Sequence, residues 1–380
     1  MAKRTGEVES MVSLQNIAQH YKDRKVFVTG HTGFKGAWLT AWLHAMGAVV
    51  KGYALAPEYE EGVYQYIQPA IQGDSIIGDI RNAAALSEAI RTFGPDYVFH
   101  LAAQPLVRRS YEIPAETFDV NVTGTANVLE AVSKLPGACT VVTITTDKVY
   151  DNKESEVLYK ESDALGGYDP YSASKACTEL VVSAFRNSFF NINAWDTHHK
   201  AIASARAGNV IGGGDWSKDR IVPDLIRALS NNTVVEVRNP QAIRPWQHVL
   251  EPLGGYLLLG ALLREQPGRF AQAYNFGPAP GDHLPVKALV EEAIEVWGSG
   301  RWQDVSQAGQ PHEASLLKLD ITKASRELQW APRLSAAKAI EWTVNWYKQP
   351  ASARQAYTFQ QIATYMNLIP YEVSADTIAG

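Results

Sequence analysis

A phenol and an ammonium stand four residues apart in Tyr171-Ser172-Ala173-Ser174-Lys175, and the run continues Ala-Cys-Thr-Glu-Leu-Val-Val, which reads as helix. Side chains at i and i+4 share a helix face. A free tyrosine, with a pKa of about 10, is a poor base at neutral pH. A fixed positive charge nearby favours the phenolate and lowers that value. The pair is therefore a candidate proton-transferring phenol, although such spacings also arise in helices by chance. Upstream, Thr145-Thr146-Asp147-Lys148-Val149-Tyr150 closes a run at 140–145 that is rich in β-branched residues. An acid and an amine at a strand end could serve as general acid and base, or form a plain turn with a helix cap.

A glycine loop lies near the front of the chain. Gly30-His31-Thr32-Gly33-Phe34-Lys35-Gly36 separates a strand-like run at 25–29 from a helix-like run at 37–46. Missing side chains let the backbone turn tightly and approach a pyrophosphate, whose charge suits a helix N-terminus. Gly30, Gly33, Phe34, Lys35 and Gly36 are the candidate cofactor contacts. The G-x-x-G-x-x-G spacing departs by one residue from the usual dinucleotide fingerprint, and an ordinary glycine-rich turn is the alternative. Such a fold usually offers an acid about twenty residues on for the adenosine ribose. Here the next strand ends at Tyr53-Ala54-Leu55, with Glu58 a poor substitute beyond Pro57. No arginine stands there for a 2′-phosphate, so NAD is expected over NADP. Asp79 and Ile80 close a third strand, where the acid could accept from an adenine amine or cap a helix. Leu101, Ala102, Ala103 and Gln104 close a fourth; small residues there would let the backbone pass beneath the cofactor's phosphates, or simply pack.

The elements that must position these loops alternate. Strand patterns at 25–29, 49–53, 75–78, 97–101, 140–145 and 201–205 are separated by helix patterns at 37–46, 83–93, 122–134 and through Tyr171. This predicts an α/β, Rossmann-type doubly wound parallel sheet. After about Asn209 the alternation fades, and glycine, proline and tryptophan become frequent. The expectation is an NAD-binding domain over 23–209 with a return helix at 248–264. A smaller interleaved C-terminal lobe over 210–247 and 265–350 would bind substrate. Residues 1–22 read as an extension, partly helical at 12–20, and 351–380 as a tail with its last ten residues mobile.

The 380 residues are 46% hydrophobic and 20% charged, enough for a sizeable core. A net charge of −5 without a basic stripe argues against nucleic acid. Cys139 and Cys177 have no metal-type spacing and make no disulfide framework, so no metal is expected. The polar start is no secretory signal and no apolar run approaches a membrane span; a reducing cytoplasm is the expected location.

These residues resemble the extended short-chain dehydrogenase/reductase family over about residues 23–347, and within it the nucleotide-sugar 4,6-dehydratases. The general motifs are 29–36, 100–103, Asn121 and the Tyr171/Lys175 pair. The sharper ones are 145–150, Arg206-Ala207-Gly208-Asn209-Val210-Ile211-Gly212-Gly213-Gly214-Asp215-Trp216, Arg244-Pro245-Trp246-Gln247-His248-Val249, His312-Glu313-Ala314 and Leu319-Asp320. Relatives acting on dTDP- or GDP-sugars often carry Glu after the Asp. Lys148 stands there instead, as in the branch acting on CDP-glucose.

The resemblance implies a redox-neutral dehydration serving deoxysugar biosynthesis, as for lipopolysaccharide O-antigens. Hydride leaves C4 of the sugar for tightly bound NAD, the C6 hydroxyl is eliminated with the C5 proton, and hydride returns to C6. Tyr171 would take the O4 proton, helped by Lys175, which would also hold the cofactor ribose. Thr146 would bond the C4 oxygen. Asp147, its pKa raised by burial, would protonate the leaving hydroxyl. Lys148, its pKa lowered by burial near Lys175, would be the C5 base. Thr145 joins the cofactor contacts. Asn209, Arg220, Arg244 and Glu313 are substrate candidates, the arginines for phosphate, with surface or hinge roles as alternatives. The glycines 212–214 would form a loop near the sugar diphosphate. Relatives pair through two helices per subunit, here 122–134 and the Tyr171 helix. Ala126, Ala131, Ala173, Ala176, Val181 and Val182 would suit a homodimer or dimer of dimers, or ordinary sheet packing. An epimerase of the same family, a dehydratase for another nucleotide hexose and a non-catalytic dinucleotide sensor are the competing readings.

Overall fold

Val26, Phe27 and Val28 are all fully buried, as a strand covered on both faces requires. The computed structural model describes residues 12–71, 73–306 and 317–370. In chain order it forms β1 (Lys25–Thr29), α1 (Phe34–Ala45), β2 (Val49–Ala54), β3 (Asp74–Ile77), α2 (Ala83–Phe93), β4 (Tyr97–His100), α3 (Gly124–Ser133), β5 (Cys139–Ile144), α4 (Pro170–Ser188) and β6 (Lys200–Ala207). Then come α5 (Ile221–Ser230), α6 (Leu250–Glu265), β7 (Ala273–Phe276), α7 (Val286–Trp297), α8 (Ala336–Lys348) and α9 (Ala351–Asn367). The main sheet runs β7-β6-β5-β4-β1-β2-β3, every neighbouring pair parallel. The fold is thus the α/β doubly wound type that the alternation predicts. Its order reverses between β1 and β4, and ligands of such sheets bind in the crevice outside the strands' carboxyl ends at that point. The loops after β1 and β4 both open there.

Several differences from the sequence-based expectation have physical causes. Ala273–Phe276, expected in the second lobe, joins the central sheet as its edge strand beside β6. Four residues are too short a run to read without the partner strand. The helix expected at 248–264 begins at Leu250, because Gln247–His248 pairs with Val210–Ile211 as a short parallel ladder.

The expected extension and tail are also integrated into the core where they are described. Leu14, Ile17 and Tyr21 are buried, and the Tyr21 hydroxyl donates to the Leu257 carbonyl of α6 at 2.6 Å. Helix α9 buries Ile362 and Tyr365, the latter edge-on to Trp42 of α1 at 5.6 Å. Helix α1 is buried from Gly36 through Leu43, with α9, α6 and the helical turn Val63–Ile67 packed against it. Residues 371–380, expected to be mobile, lie outside the described residues.

Candidate active site

Tyr171 sits in the first turn of α4. Asp169 caps that helix, its carboxylate accepting from the Ser172 N–H at 2.9 Å and the Ser172 hydroxyl at 2.6 Å, and Pro170 fills the first helical position. Opposite, β5 ends at Ile144 and the chain turns through a short 3-10 segment, Asp147–Val149. The structure brings Thr146, Asp147 and Tyr171 together. The Thr146 hydroxyl and the Asp147 charge both act on the phenol. Thr146 also donates to the Asp147 carboxylate at 2.9 Å. Asp147 is almost fully buried, with Gly208 beneath its second oxygen, where a Cβ would come within 2.9 Å. Lys148 is partly exposed, its Nζ 3.5 Å from the Asp147 carboxylate. Acid and amine are thus paired with each other and must separate to act on a substrate.

The electrostatics of the phenol correct the simplest expectation. Burial pushes Tyr171 up to about 12, with Asp147 adding to the rise. Thr146 and Arg220 oppose it, and the effect of burial wins. Lys175 is itself buried, donates to the Ile144 carbonyl at 2.9 Å, and is lowered by burial to about 8, with Glu179 opposing. The shared helix face alone does not make Tyr171 a base.

The glycine loop fits a dinucleotide. Gly30 has φ +76°, and a Cβ there would lie 2.7 Å from the Ala102 nitrogen; a Cβ on Gly36 would lie 2.0 Å from the Gly30 carbonyl oxygen. These two glycines let β1, α1 and β4 meet. Gly33 is different: it is exposed, no neighbour excludes a side chain there, and it heads α1 without a side-chain cap. Its bareness leaves the helix N-terminus open to an anion, as a bound pyrophosphate needs. Leu101, Ala102 and Ala103 lie partly exposed beside it. The Thr29 hydroxyl ties the two strand ends, bonding His100 at 2.7 Å and accepting from the Leu101 and Ala102 N–H groups. Burial pushes His100 down to about 3, so the imidazole is neutral.

Other candidates are placed less simply. The Gln104 side chain serves the loop itself, bonding Leu106 and Thr117, while Asn121 bonds the Gln104 backbone. Asp79 is held by Arg81, which donates through its backbone N–H at 2.8 Å and its guanidinium at 2.6 Å; the helix cap is Asn82 instead. Ile80 is core, pressed on Gly124. The Thr145 hydroxyl points inward, donating to Glu179 at 2.5 Å.

Phe34 packs over Gly212, joining the cofactor loop to the 206–216 segment. The glycines 212–214 are buried, not an open loop: a Cβ on Gly212 would meet Val249, on Gly213 Trp346, and on Gly214 Val63. Asn209 is partly buried beside that junction, its carbonyl accepting from the Gln247 N–H. Arg220 pairs with buried Asp215 at 2.9 Å and acts on the Tyr171 phenol. Arg244 lies on a short strand paired with Leu284–Pro285. Glu313 lies outside the described residues.

Lys35 departs from the phosphate-cradle expectation. Its side chain leaves the first turn of α1 towards the reaction centre, with Nζ 3.4 Å from the Tyr256 hydroxyl. Burial, then the charges of Arg220, Lys175 and Lys148, lower it to about 7 against the pull of Asp147. Tyr256 and Glu179 are neighbours of the site that the sequence reading does not single out, while Arg206 enters it only as the head of the 206–216 motif. Glu179 carries a signal of its own, standing a further four residues along the Tyr171/Lys175 face.

With an acid, an amine, a phenol and an open helix N-terminus gathered at one switch point, similarity to known proteins becomes decisive. Residues 27–343 match the GDP-mannose 4,6 dehydratase family. The chain belongs to this family. It is 48% identical, over 86% of its length and 91% of the relative's, to a CDP-glucose 4,6-dehydratase of Salmonella typhimurium. Its fold matches a dTDP-glucose 4,6-dehydratase from Streptomyces venezuelae solved with NAD bound (TM-score 0.73, 24% identity, covering 87% of this chain and 99% of that one). It also matches a UDP-glucose 4-epimerase from Thermotoga maritima (TM-score 0.71, 20% identity, covering 85% and 98%). Among the described residues no helix is long and apolar enough to cross a membrane, and no cluster of possible metal ligands occurs.

Proposed function

We propose that the chain is an NAD-dependent hydro-lyase that converts CDP-D-glucose to CDP-4-dehydro-6-deoxy-D-glucose. The observation that carries the reading is Asp147, paired with Lys148 and acting on the Tyr171 phenol, in a chain 48% identical to a CDP-glucose 4,6-dehydratase. Bound NAD would take hydride from C4 and return it to C6, so that the net change is loss of water. The chain's own residues move the protons. Tyr171 accepts the O4 proton, and Thr146 bonds the C4 oxygen. Once a sugar has parted the two, Asp147 gives a proton to the departing C6 hydroxyl, and Lys148 takes the C5 proton and gives it back to C5 as hydride reaches C6. An epimerase needs only the phenol, so this acid–amine pair favours dehydration.

Gly33, the N-terminus of α1 and the 101–103 platform would hold the cofactor. Arg220 and Arg244 would receive the substrate's diphosphate. A homodimer or dimer of dimers through α3 and α4 in a reducing cytoplasm completes the proposal. Leu180 on α4 and Phe189 just past its end are exposed, whereas Ala131, Ala176 and Val182 are spent on internal packing and would not line such an interface. The test is incubation with NAD and a panel of CDP-, dTDP-, GDP- and UDP-hexoses. An alkali-dependent absorbance of a 4-keto sugar with CDP-glucose is expected. A CDP-galactose product would mark an epimerase, and binding without turnover a sensor.

A further inference from the structure

Beneath the reaction centre lies a buried ion pair that the proposed chemistry does not use. The Arg206 guanidinium on β6 meets the Glu179 carboxylate of α4 at 2.9 Å, both almost inaccessible. The same carboxylate accepts from the Thr145 hydroxyl at 2.5 Å and the Ser204 hydroxyl at 2.8 Å. Arg206 is held from behind by the Tyr150 hydroxyl at 2.9 Å, which itself donates to Asn275 at 2.6 Å. The Glu179 carboxyl is held below its ordinary value, the charge and bonds of Arg206 together with the Thr145 and Ser204 hydroxyls outweighing burial. One carboxylate thereby joins α4, β6 and the residue from which the Thr146–Lys148 turn departs.

Tyr171, Lys175 and Glu179 are spaced four and four, so they lie along one helix face. Lys175 is buried and bonded to a neutral carbonyl. The other charged and titratable groups it acts upon are His100 from β4 and Lys35 from α1, neither of which is an anion.

We propose that Glu179 is a positioning residue of the reaction centre: clamped by Arg206, it fixes the Thr146–Lys148 turn through Thr145 and supplies the counter-charge that keeps the buried Lys175 an ammonium. Burial lowers Lys175 to about 8 even with Glu179 opposing it. Without that carboxylate the amine loses its proton nearer neutrality, and the uncompensated charge of Arg206 pushes the same way. The inference rests on the proposed dehydration only for what the ammonium and the turn then do.

The experiment compares wild type with Glu179→Gln at pH 6 and pH 8, reading both NAD affinity and kcat/KM. The variant is expected to lose about fivefold in both at pH 8 and less than about twofold at pH 6, because an amine at about 8 whose pKa drops by about one more goes from half ammonium to about one-tenth at pH 8 and stays mostly ammonium at pH 6. Equal losses at the two pH values would overturn the charge role. Removing one partner of a buried pair can unfold a protein, so Glu179→Gln/Arg206→Met is run beside it. Recovered thermal stability with the alkaline loss still present supports the proposal; recovery of both overturns it. Thr145→Val leaves the ion pair intact and is expected to lower kcat about tenfold at both pH values, since small misplacements of catalytic groups are costly. An unchanged kcat would refute the positioning of the turn. Should wild type fail to turn over CDP-glucose, the proposed reaction is wrong, and the pH dependence of NAD affinity still decides the role of Glu179.

Discussion

Replacing Lys175 by methionine removes an ammonium from beside a phenol that burial has made harder to ionise. Tyr171 stands at about 12 against an ordinary 10.0. To be half ionised at about pH 7.5 the phenol's pKa must fall by about 4.5, which corresponds to roughly 6 kcal/mol. A unit charge about 5 Å away in an effective dielectric of about 20 supplies about 3.3 kcal/mol, enough to lower the pKa by about 2.4. Two positive charges are therefore needed: the Lys175 ammonium and the one carried by bound oxidised cofactor. Lys175→Met leaves only the second, and kcat at pH 7.5 should fall about 100-fold.

The sign with pH is specific. The base form of Tyr171 grows as pH rises, so the variant's loss shrinks several-fold per pH unit between about pH 7.5 and 9, where the wild-type phenol is already mostly ionised. Wild type should instead decline above pH 8, where Lys175, lowered to about 8, gives up its proton. The assay is the alkali-dependent absorbance of the 4-keto product from CDP-glucose between about pH 6 and 9.5, with NAD and substrate saturating. The same fold-loss at about pH 6.5 and pH 9 would refute the reasoning, because it would mean that Lys175 acts only by holding ligand.

Asp147→Asn should slow dehydration by about 10²-fold or more while calorimetric affinity for CDP-glucose changes little; full turnover would remove Asp147 as the acid. Lys148→Met should likewise lose most dehydration, and complete product formation would take Lys148 out of the mechanism. Gly36→Ala drives a Cβ to 2.0 Å from the Gly30 carbonyl, so a loss of about 1–3 kcal/mol in stability and of bound NAD in the purified protein is expected; unchanged NAD content would contradict the packing argument. Buried Glu251 accepts from the Arg333 and Leu334 N–H groups and the Tyr365 hydroxyl, and burial raises it from 4.5 to about 7. The folded state therefore keeps a proton that the unfolded chain releases. Its stabilising effect is full below about pH 4.5 and declines by roughly 3 kcal/mol as pH rises through about 7. Glu251→Gln should flatten that part of the dependence of melting temperature on pH between about pH 5 and 8, and an unaltered slope would assign it elsewhere.

Local pattern alone determined the sheet and its ligand edge. Continuous apolar runs such as 25–29 and 140–145, broken by amphipathic stretches such as 83–93, have no stable arrangement other than a covered parallel sheet. The glycines at 30, 33 and 36 and the Tyr171/Lys175 spacing are likewise short-range signals, carried by residues one turn apart. What pattern could not hold was anything that depends on distant chain meeting in the interior. Ala273–Phe276 becomes a strand only because Lys200–Ala207 offers it an edge. The segments around Leu14 and Tyr365 become core only because Trp42 of α1 and Gly254 of α6 offer them an apolar seat. The sign of the Tyr171 shift and the inward turn of Thr145 towards Glu179 were likewise beyond reach. Ionisation and hydrogen bonding depend on how deeply a group is desolvated and which charges surround it, and the tertiary structure alone sets both.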